Sequence, residues 1–174
     1  MDQISIEGVK LSQELVTINL RHLTHIEKTL SRFCKNLTDN QINMQFLSTA
    51  RVDGNNQITC CVDSENSGFI NSLIRSEPEL QSHSEIIEPT GLLTLFPHHF
   101  KLKLLGLSLS VLGEASIPLY GLASSLSSLT FILVYRDLEK AIECLGKKIK
   151  IDPEKIERRP KIRVRQSRRI KQDK

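Results

Sequence analysis

Apolar residues along this chain recur in two rhythms, and the pair of rhythms comes twice. Val16, Ile18 and Leu20 alternate with polar neighbours, which predicts a strand over 15–20 after a lead-in strand over 4–9. Ile26, Leu30, Phe33, Cys34 and Leu37 then fall at helical spacing up to a stop at Thr38-Asp39-Asn40. Thr24, with Glu27 three residues on, has the capping-box pattern and marks the helix start. Ile42, Met44 and Phe46 alternate again. Asp53-Gly54-Asn55-Asn56 predicts a hairpin turn, since Gly and Asn tolerate positive φ, and 58–62 is its returning strand. Phe69, Ile70, Leu73 and Ile74 predict a second helix stopped near Pro78, followed by a short strand over 85–88.

About 75 residues further on, the order repeats more compactly. A strand over 91–96 leads to a strongly apolar helix over 102–112 that ends at Gly113. Strands over 117–122 and 129–135 are joined by Ser124-Ser125-Leu126-Ser127-Ser128. A helix over 137–145 closes at Gly146, and 147–151 offers a last strand. Each copy therefore reads strand, helix, strand, strand, helix, strand. The expected fold class is α+β, with two ferredoxin-like βαββαβ units packed as a pair, each a small antiparallel sheet with helices on one face. Drawn linearly, the units span 1–89 and 90–151, with a basic tail over 152–174. Leu104, Leu105, Leu107, Leu109, Val111 and Leu112 make the helix of the second copy apolar around much of its circumference, so it is expected to be sandwiched or to contact another chain.

Composition narrows the class. With 39% hydrophobic and 25% charged residues the chain is globular, and no Trp and few aromatics leave the core to Leu, Ile and Val. No apolar run approaches the length of a membrane span, and the N-terminus lacks the pattern of a signal peptide, so a cytoplasmic location is expected. Cys34, Cys60, Cys61 and Cys144 show no CxxC spacing and read as reduced packing residues, with Cys60 and Cys61 on opposite faces of a strand. The charge is uneven. Residues 147–174 carry thirteen Lys and Arg against four Asp and Glu, net +9; the whole chain is +4, which leaves the remainder at −5.

The second copy resembles a known family. Residues 107–120, a helix running into Ile117-Pro118-Leu119-Tyr120, the serine-rich hairpin 124–134 and the closing helix 137–145 are similar to the tandem ACT domains in the regulatory C-terminal half of aspartate kinases. In the first copy, Ile42-Asn43 and residues 57–62 stand where the equivalent strands would be. The resemblance covers 4–151. It implies allosteric regulation by an amino-acid effector held between two ACT domains, at backbone groups of the turn after the first strand and the start of the next helix. Carried over, the first-copy candidates are His22, Leu23, Thr24 and His25, faced by Met44 and Gln45. Those of the second are Pro97, His98, His99 and Phe100, with Pro118 and Leu119. The family has glycine in that turn, where a missing Cβ lets backbone approach a ligand, but neither 21–29 nor 96–105 contains one. Arg21 and His22 also stand where the family often has an acidic residue. The resemblance further implies interlaced units, with 147–151 or the alternating 161–165 returning to complete the first.

No kinase half is present: the chain has no GxxxxGK or GxGxxG phosphate loop, and no Ser-His-Asp or Cys-His arrangement in a supporting context. The expectation is no enzyme, no catalytic residue and no cofactor. His22, His25, His98 and His99 fall at corresponding places, but their spacing suits loop or cap histidines, and no metal site is expected. The tail has the charge to contact nucleic acid or an acidic partner, yet it lacks aromatic residues for base stacking, so nucleic acid is the weakest reading. Two classes stay open: a homodimeric sensor of an amino acid or similar metabolite, or a ligand-free oligomerisation module that docks a protein partner.

Overall fold

The computed structural model of the chain describes residues 4–23, 25–96 and 102–158. Its strands and helices run β1 (Ile4–Ser5), β2 (Gly8–Leu11), β3 (Leu15–Leu23), α1 (Ile26–Asp39), β4 (Met44–Val52), β5 (Asn55–Asp63), α2 (Ser67–Ser76), α3 (Pro78–His83), β6 (Ser84–Phe96), α4 (Leu102–Glu114), β7 (Leu119–Ser124), β8 (Leu129–Val134), α5 (Leu138–Gly146), β9 (Ile149–Lys150) and β10 (Ile156–Arg158). The fold is α+β, and the strand and helix order fits two βαββαβ units.

β6 organises the molecule. Its first half pairs antiparallel with β3, from Leu20 on Ser84 to Leu15 on Thr90. Its second half pairs with β2 on one side, Gly8 on Phe96 to Leu11 on Leu93, and with β8 on the other. The sequence suggested two strands here, over 85–88 and 91–96. One strand forms because β2 and β3 lie end to end along it, with a bulge between Leu15 and Thr17. Pro89, which has no N–H to donate, falls at that bulge, outside both ladders.

The resulting strand orders are β6–β3–β5–β4 and β2–β6–β8–β7. The place beside β6 in the second sheet, expected for 147–151, is taken by the N-terminal β2. Of the expected strand only Ile149–Lys150 is extended, paired parallel with β1 in a separate two-stranded ladder. β10 adds parallel to β2, and Arg158 Nε donates to the Glu139 carboxylate at 3.2 Å. Residues 161–165 lie outside the described residues.

Local chemistry explains the other departures. Asp53 and Gly54, both at positive φ, make a two-residue turn, so β4 and β5 run further than the apolar alternation, carried by main-chain bonds between polar positions such as Arg51 and Asn56. Ile42 is not in a strand: its N–H closes the end of α1 on Leu37 O at 2.9 Å. Pro78 does not merely stop α2; it opens α3 at a position where a missing N–H costs nothing. The residue flanking α1 is His25, which makes no side-chain capping bond, and Thr24 lies outside the described residues.

Each sheet buries one face under its own helices. Val16, Ile18, Leu20, Ile58, Cys60 and Val62 pack against Phe33 and Leu37 of α1 and Ile70 and Leu73 of α2. Val9, Leu11, Leu93, Leu95 and Phe131 pack against Leu104 and Val111 of α4 and Leu138 and Leu145 of α5. A third cluster, Leu15, Cys61, Leu92 and Ile132 with Phe46 against it, contains no helical residue. It joins the helix-free faces of the two sheets. Cys60 and Cys61 indeed point to opposite faces, one in each cluster, and all four cysteines are free.

Candidate functional site at the junction of the two sheets

The helix-free face of the first sheet is polar where a solvated face would carry Lys and Glu. Thr17 and Asn19, alternating with Val16, Ile18 and Leu20, are buried. Burial is tolerated because their polar atoms are bonded. Thr17 Oγ1 lies 2.8 Å from Thr90 Oγ1 and 3.3 Å from Cys61 Sγ, and Thr90 donates to Leu15 O at 3.1 Å. Asn19 Oδ1 accepts from Thr59 Oγ1 at 2.9 Å, directly across the β3–β5 ladder. Burial pushes the Cys61 thiol up to about 11, against the Thr17 hydroxyl, which lowers it. The Cys60 thiol is pushed up by burial as well. Both stay protonated at neutral pH, so neither offers a thiolate nucleophile.

Beyond this bonded stretch the face opens into a depression of about 110 Å³, lined by the side-chain positions of Asn19, Arg21, Gln57 and Thr59 from the first unit and Tyr120 from β7 of the second. Arg21, one of the lining residues, donates from Nη2 to Glu85 Oε2 at 2.7 Å; Glu85 lies opposite Asn19 on β6, next to the lining but not part of it. Among the described residues, the side chains of Gln57 and Tyr120 make no hydrogen bond, so their donors and acceptors are open to something in the depression. Sequence reading passed over Asn19, Thr59, Gln57 and Tyr120. The signal was present in Thr17-Asn19-Arg21, a polar stripe with no acidic residue and no Lys, on a strand whose other face is apolar from Val16 to Leu20.

The residues singled out from sequence fall elsewhere. His22 and Leu23 end β3. His22 is exposed with φ +57, so the turn adopts the left-handed backbone that favours glycine without having one. Leu23 is buried, and its carbonyl accepts from Asn56 Nδ2 at 3.1 Å, while His25 is exposed. Met44 and Gln45 do not face this turn within their unit. Met44 pairs with Val62 and Val62 with Val16, seven strand residues from Leu23, or ~23 Å at the usual rise. Gln45 Nε2 instead donates to Asp63 Oδ1 at 3.3 Å, a carboxyl raised by burial, by which the Gln45 bond is outweighed. Leu119 pairs with Leu133, which pairs with Gly91, so Pro118 and Leu119 sit at the far end of the second sheet from Phe96. Pro97, His98, His99 and Phe100, like Thr24, lie outside the described residues. Among the described residues no three His, Cys, Asp or Glu side chains gather as metal ligands, and no helix is long and apolar enough to cross a membrane.

No family model matches the sequence, and no curated protein is similar to it in sequence. Solved structures are similar in fold. The regulatory subunit of aspartate kinase from Thermus thermophilus, in its ligand-free form, superposes with a TM-score of 0.70 at 12% identity, over 83% of this chain and 99% of that one. A structure of aspartokinase alpha and beta subunits gives 0.71 at 11% identity, over 82% and 97%. Aspartokinase III of E. coli in complex with lysine and aspartate (T-state) gives 0.60 at 16% identity, over 84% of this chain and 34% of that one. The chain has the fold of the ACT-type regulatory portion of aspartate kinases.

Proposed function

We propose that this chain is a non-catalytic, cytoplasmic regulatory module that binds an amino acid or a similar small metabolite at an interface between its two ACT-like units and works as a homodimer. In this reading the first unit comprises 15–88 and the second 90–151 together with the N-terminal strands. The observation that carries it is a polar depression built by both units of a fold shared with aspartate kinase regulatory subunits. One structure of that fold is described as a complex with lysine and aspartate, which is the ligand chemistry the reading extends to this chain. The turn residues His22, Leu23, Thr24 and His25, with Pro97 to Phe100, remain a second place for the ligand, and Met44, Gln45, Pro118 and Leu119 would reach it only across a pairing of two chains.

The test is a thermal-shift screen of the purified protein against the proteinogenic amino acids and related metabolites. A ligand that binds only the folded state raises the melting temperature. A saturable rise with one of them is the expected result. No rise with any of them, from a protein that melts cooperatively, moves the assignment to a ligand-free module for oligomerisation or protein docking. That second reading is favoured by β7, an edge strand on which Leu119, Tyr120 and Leu122 are all exposed.

A further inference from the structure

Resting on that reading, we propose that the effector site is the junction depression, not the β3–α1 turn, and that it takes an α-amino acid with a short side chain. The ligand's carboxylate would be held by Arg21 and its ammonium group by Glu85.

At about 110 Å³ the depression is far below the several hundred Å³ of a site for a nucleotide or a drug-sized molecule, and it admits only a handful of non-hydrogen atoms. Arg21 and Glu85 stand 2.7 Å apart on neighbouring strands, and both are about half exposed. Such a pair gives little stability by itself. It does present one positive and one negative group side by side, the charge pattern complementary to a zwitterion. A free carboxylic acid would meet Arg21 but also the repulsion of Glu85, and a simple amine the reverse. A planar guanidinium is suited to a carboxylate because it offers two parallel donors.

The floor supplies the remaining contacts. Asn19 is locked by Thr59, so its orientation is fixed before a ligand arrives. Gln57 and the Tyr120 hydroxyl add polar groups that can donate or accept, enough for a Ser, Thr, Asn or Asp side chain but not for a long apolar one. Tyr120 comes from the second unit and the other groups from the first, so occupancy would tie β7 to β3 and β5. A ligand there reports directly on the relative placement of the two units, whereas a ligand at the β3–α1 turn touches the end of one strand.

The experiment is isothermal titration of the full chain with glycine, L-serine, L-threonine, L-asparagine and L-aspartate, repeated with the α-amide and the deaminated acid of whichever binds best. Arg21→Gln and Tyr120→Phe are titrated alongside. Both positions are exposed, so both variants should melt within a few degrees of the parent and any loss reads on binding. The proposal expects Arg21→Gln to weaken binding at least about tenfold, as the loss of a charge-assisted bond does. It expects Tyr120→Phe to weaken it severalfold and both ligand analogues to fail. If an amino acid binds, Arg21→Gln and Tyr120→Phe leave it within twofold and His25→Ala abolishes it, the ligand is at the turn. The location is then overturned while the sensor reading stands. If no amino acid binds the parent protein, the sensor reading itself falls, and the location with it.

Discussion

Gln41 and Ser116 close the first helix of each unit in the same way. Both have positive φ, +59 and +53; Gln41 N–H reaches Thr38 O and Ser116 N–H reaches Gly113 O, both at 3.0 Å. Ile42 and Ile117 then return to Leu37 and Leu112 carbonyls, both at 2.9 Å, completing the paired-bond cap that ends a helix in a left-handed residue. Backbone and core are thus held in common. The outward surfaces are not. α1 turns Glu27, Lys28, Arg32 and Lys35 to solvent, whereas α4 leaves Leu102 and Leu109 exposed. Edge strand β4 exposes Gln45, Thr49 and Arg51 with a single large apolar residue, Leu47, where edge strand β7 exposes Leu119, Tyr120 and Leu122. The difference teaches where each copy was free to change. Positions that satisfy buried backbone groups are alike, whereas the outward surface is mostly polar in the first unit and more apolar in the second.

The largest expected effect tests whether the two units are one cooperative body. Phe33 and Phe131 are both fully packed, one in each helix-covered core. Phe131→Ala should cost about 3–5 kcal/mol, and Phe33→Ala a similar amount, in urea denaturation. Because β6 belongs to both ladders and β2 leads directly into β3, each variant should still unfold in one transition. A two-step curve for Phe131→Ala, with the first unit's helices surviving the first step, would show the units to be independent and break the comparison.

A smaller effect sharpens it at the junction. Thr90→Val removes the hydroxyl that meets Thr17 Oγ1 and Leu15 O, all buried. The expected loss is about 1–3 kcal/mol, because Thr17 is left with only the weak Cys61 sulfur partner. Thr94→Val makes the contrast four residues along the same strand. Thr94 meets Thr130 at 3.1 Å in a part-buried position where water can replace the bond, so less than about 1 kcal/mol should be lost. Equal losses from the two variants would mean that the junction is no drier than the second unit's open face.

Much of this frame was legible because it is local. The alternation of Val16, Ile18 and Leu20, the spacing of Phe33 and Leu37 and the Asp53-Gly54 turn each declare themselves within a dozen residues, and the repeat is the recurrence of such local patterns about 75 residues on. What could not be read is what depends on distant pairing. Nothing near Gly8 says that it will lie opposite Phe96, because strand partners are chosen by the fit of whole faces and not by neighbours in sequence. The depression was hidden for the same reason. Asn19 and Thr59 meet only once β3 pairs with β5, and Tyr120 of β7 joins them only when one helix-free face lies against the other. The turn residues were chosen by resemblance, which transfers position in a chain but not the partner across a sheet, and Met44 accordingly lies far from His22.

The smallest effect tests the equivalence of the two copies most directly. A non-glycine residue in the left-handed region costs roughly 1–2 kcal/mol, and glycine in its place gives back roughly 0.5–1 kcal/mol in lost chain entropy. Gln41→Gly and Ser116→Gly should therefore each raise stability by about 0.5–1 kcal/mol, a rise of about 1–4 °C for a chain of this size. Both residues are exposed, and neither has a side-chain bond to lose among the described residues. The strain alone is therefore removed, and with the same cap geometry on both sides the two gains should agree within about 0.3–0.5 kcal/mol. Their sites share no partner, so the double variant should show the sum. If Gln41→Gly stabilises and Ser116→Gly does not, the second cap is held by something other than its own two bonds. The docking of α4 against the strand that follows it would then set that backbone, and the likeness of the two units would stop at their first helices.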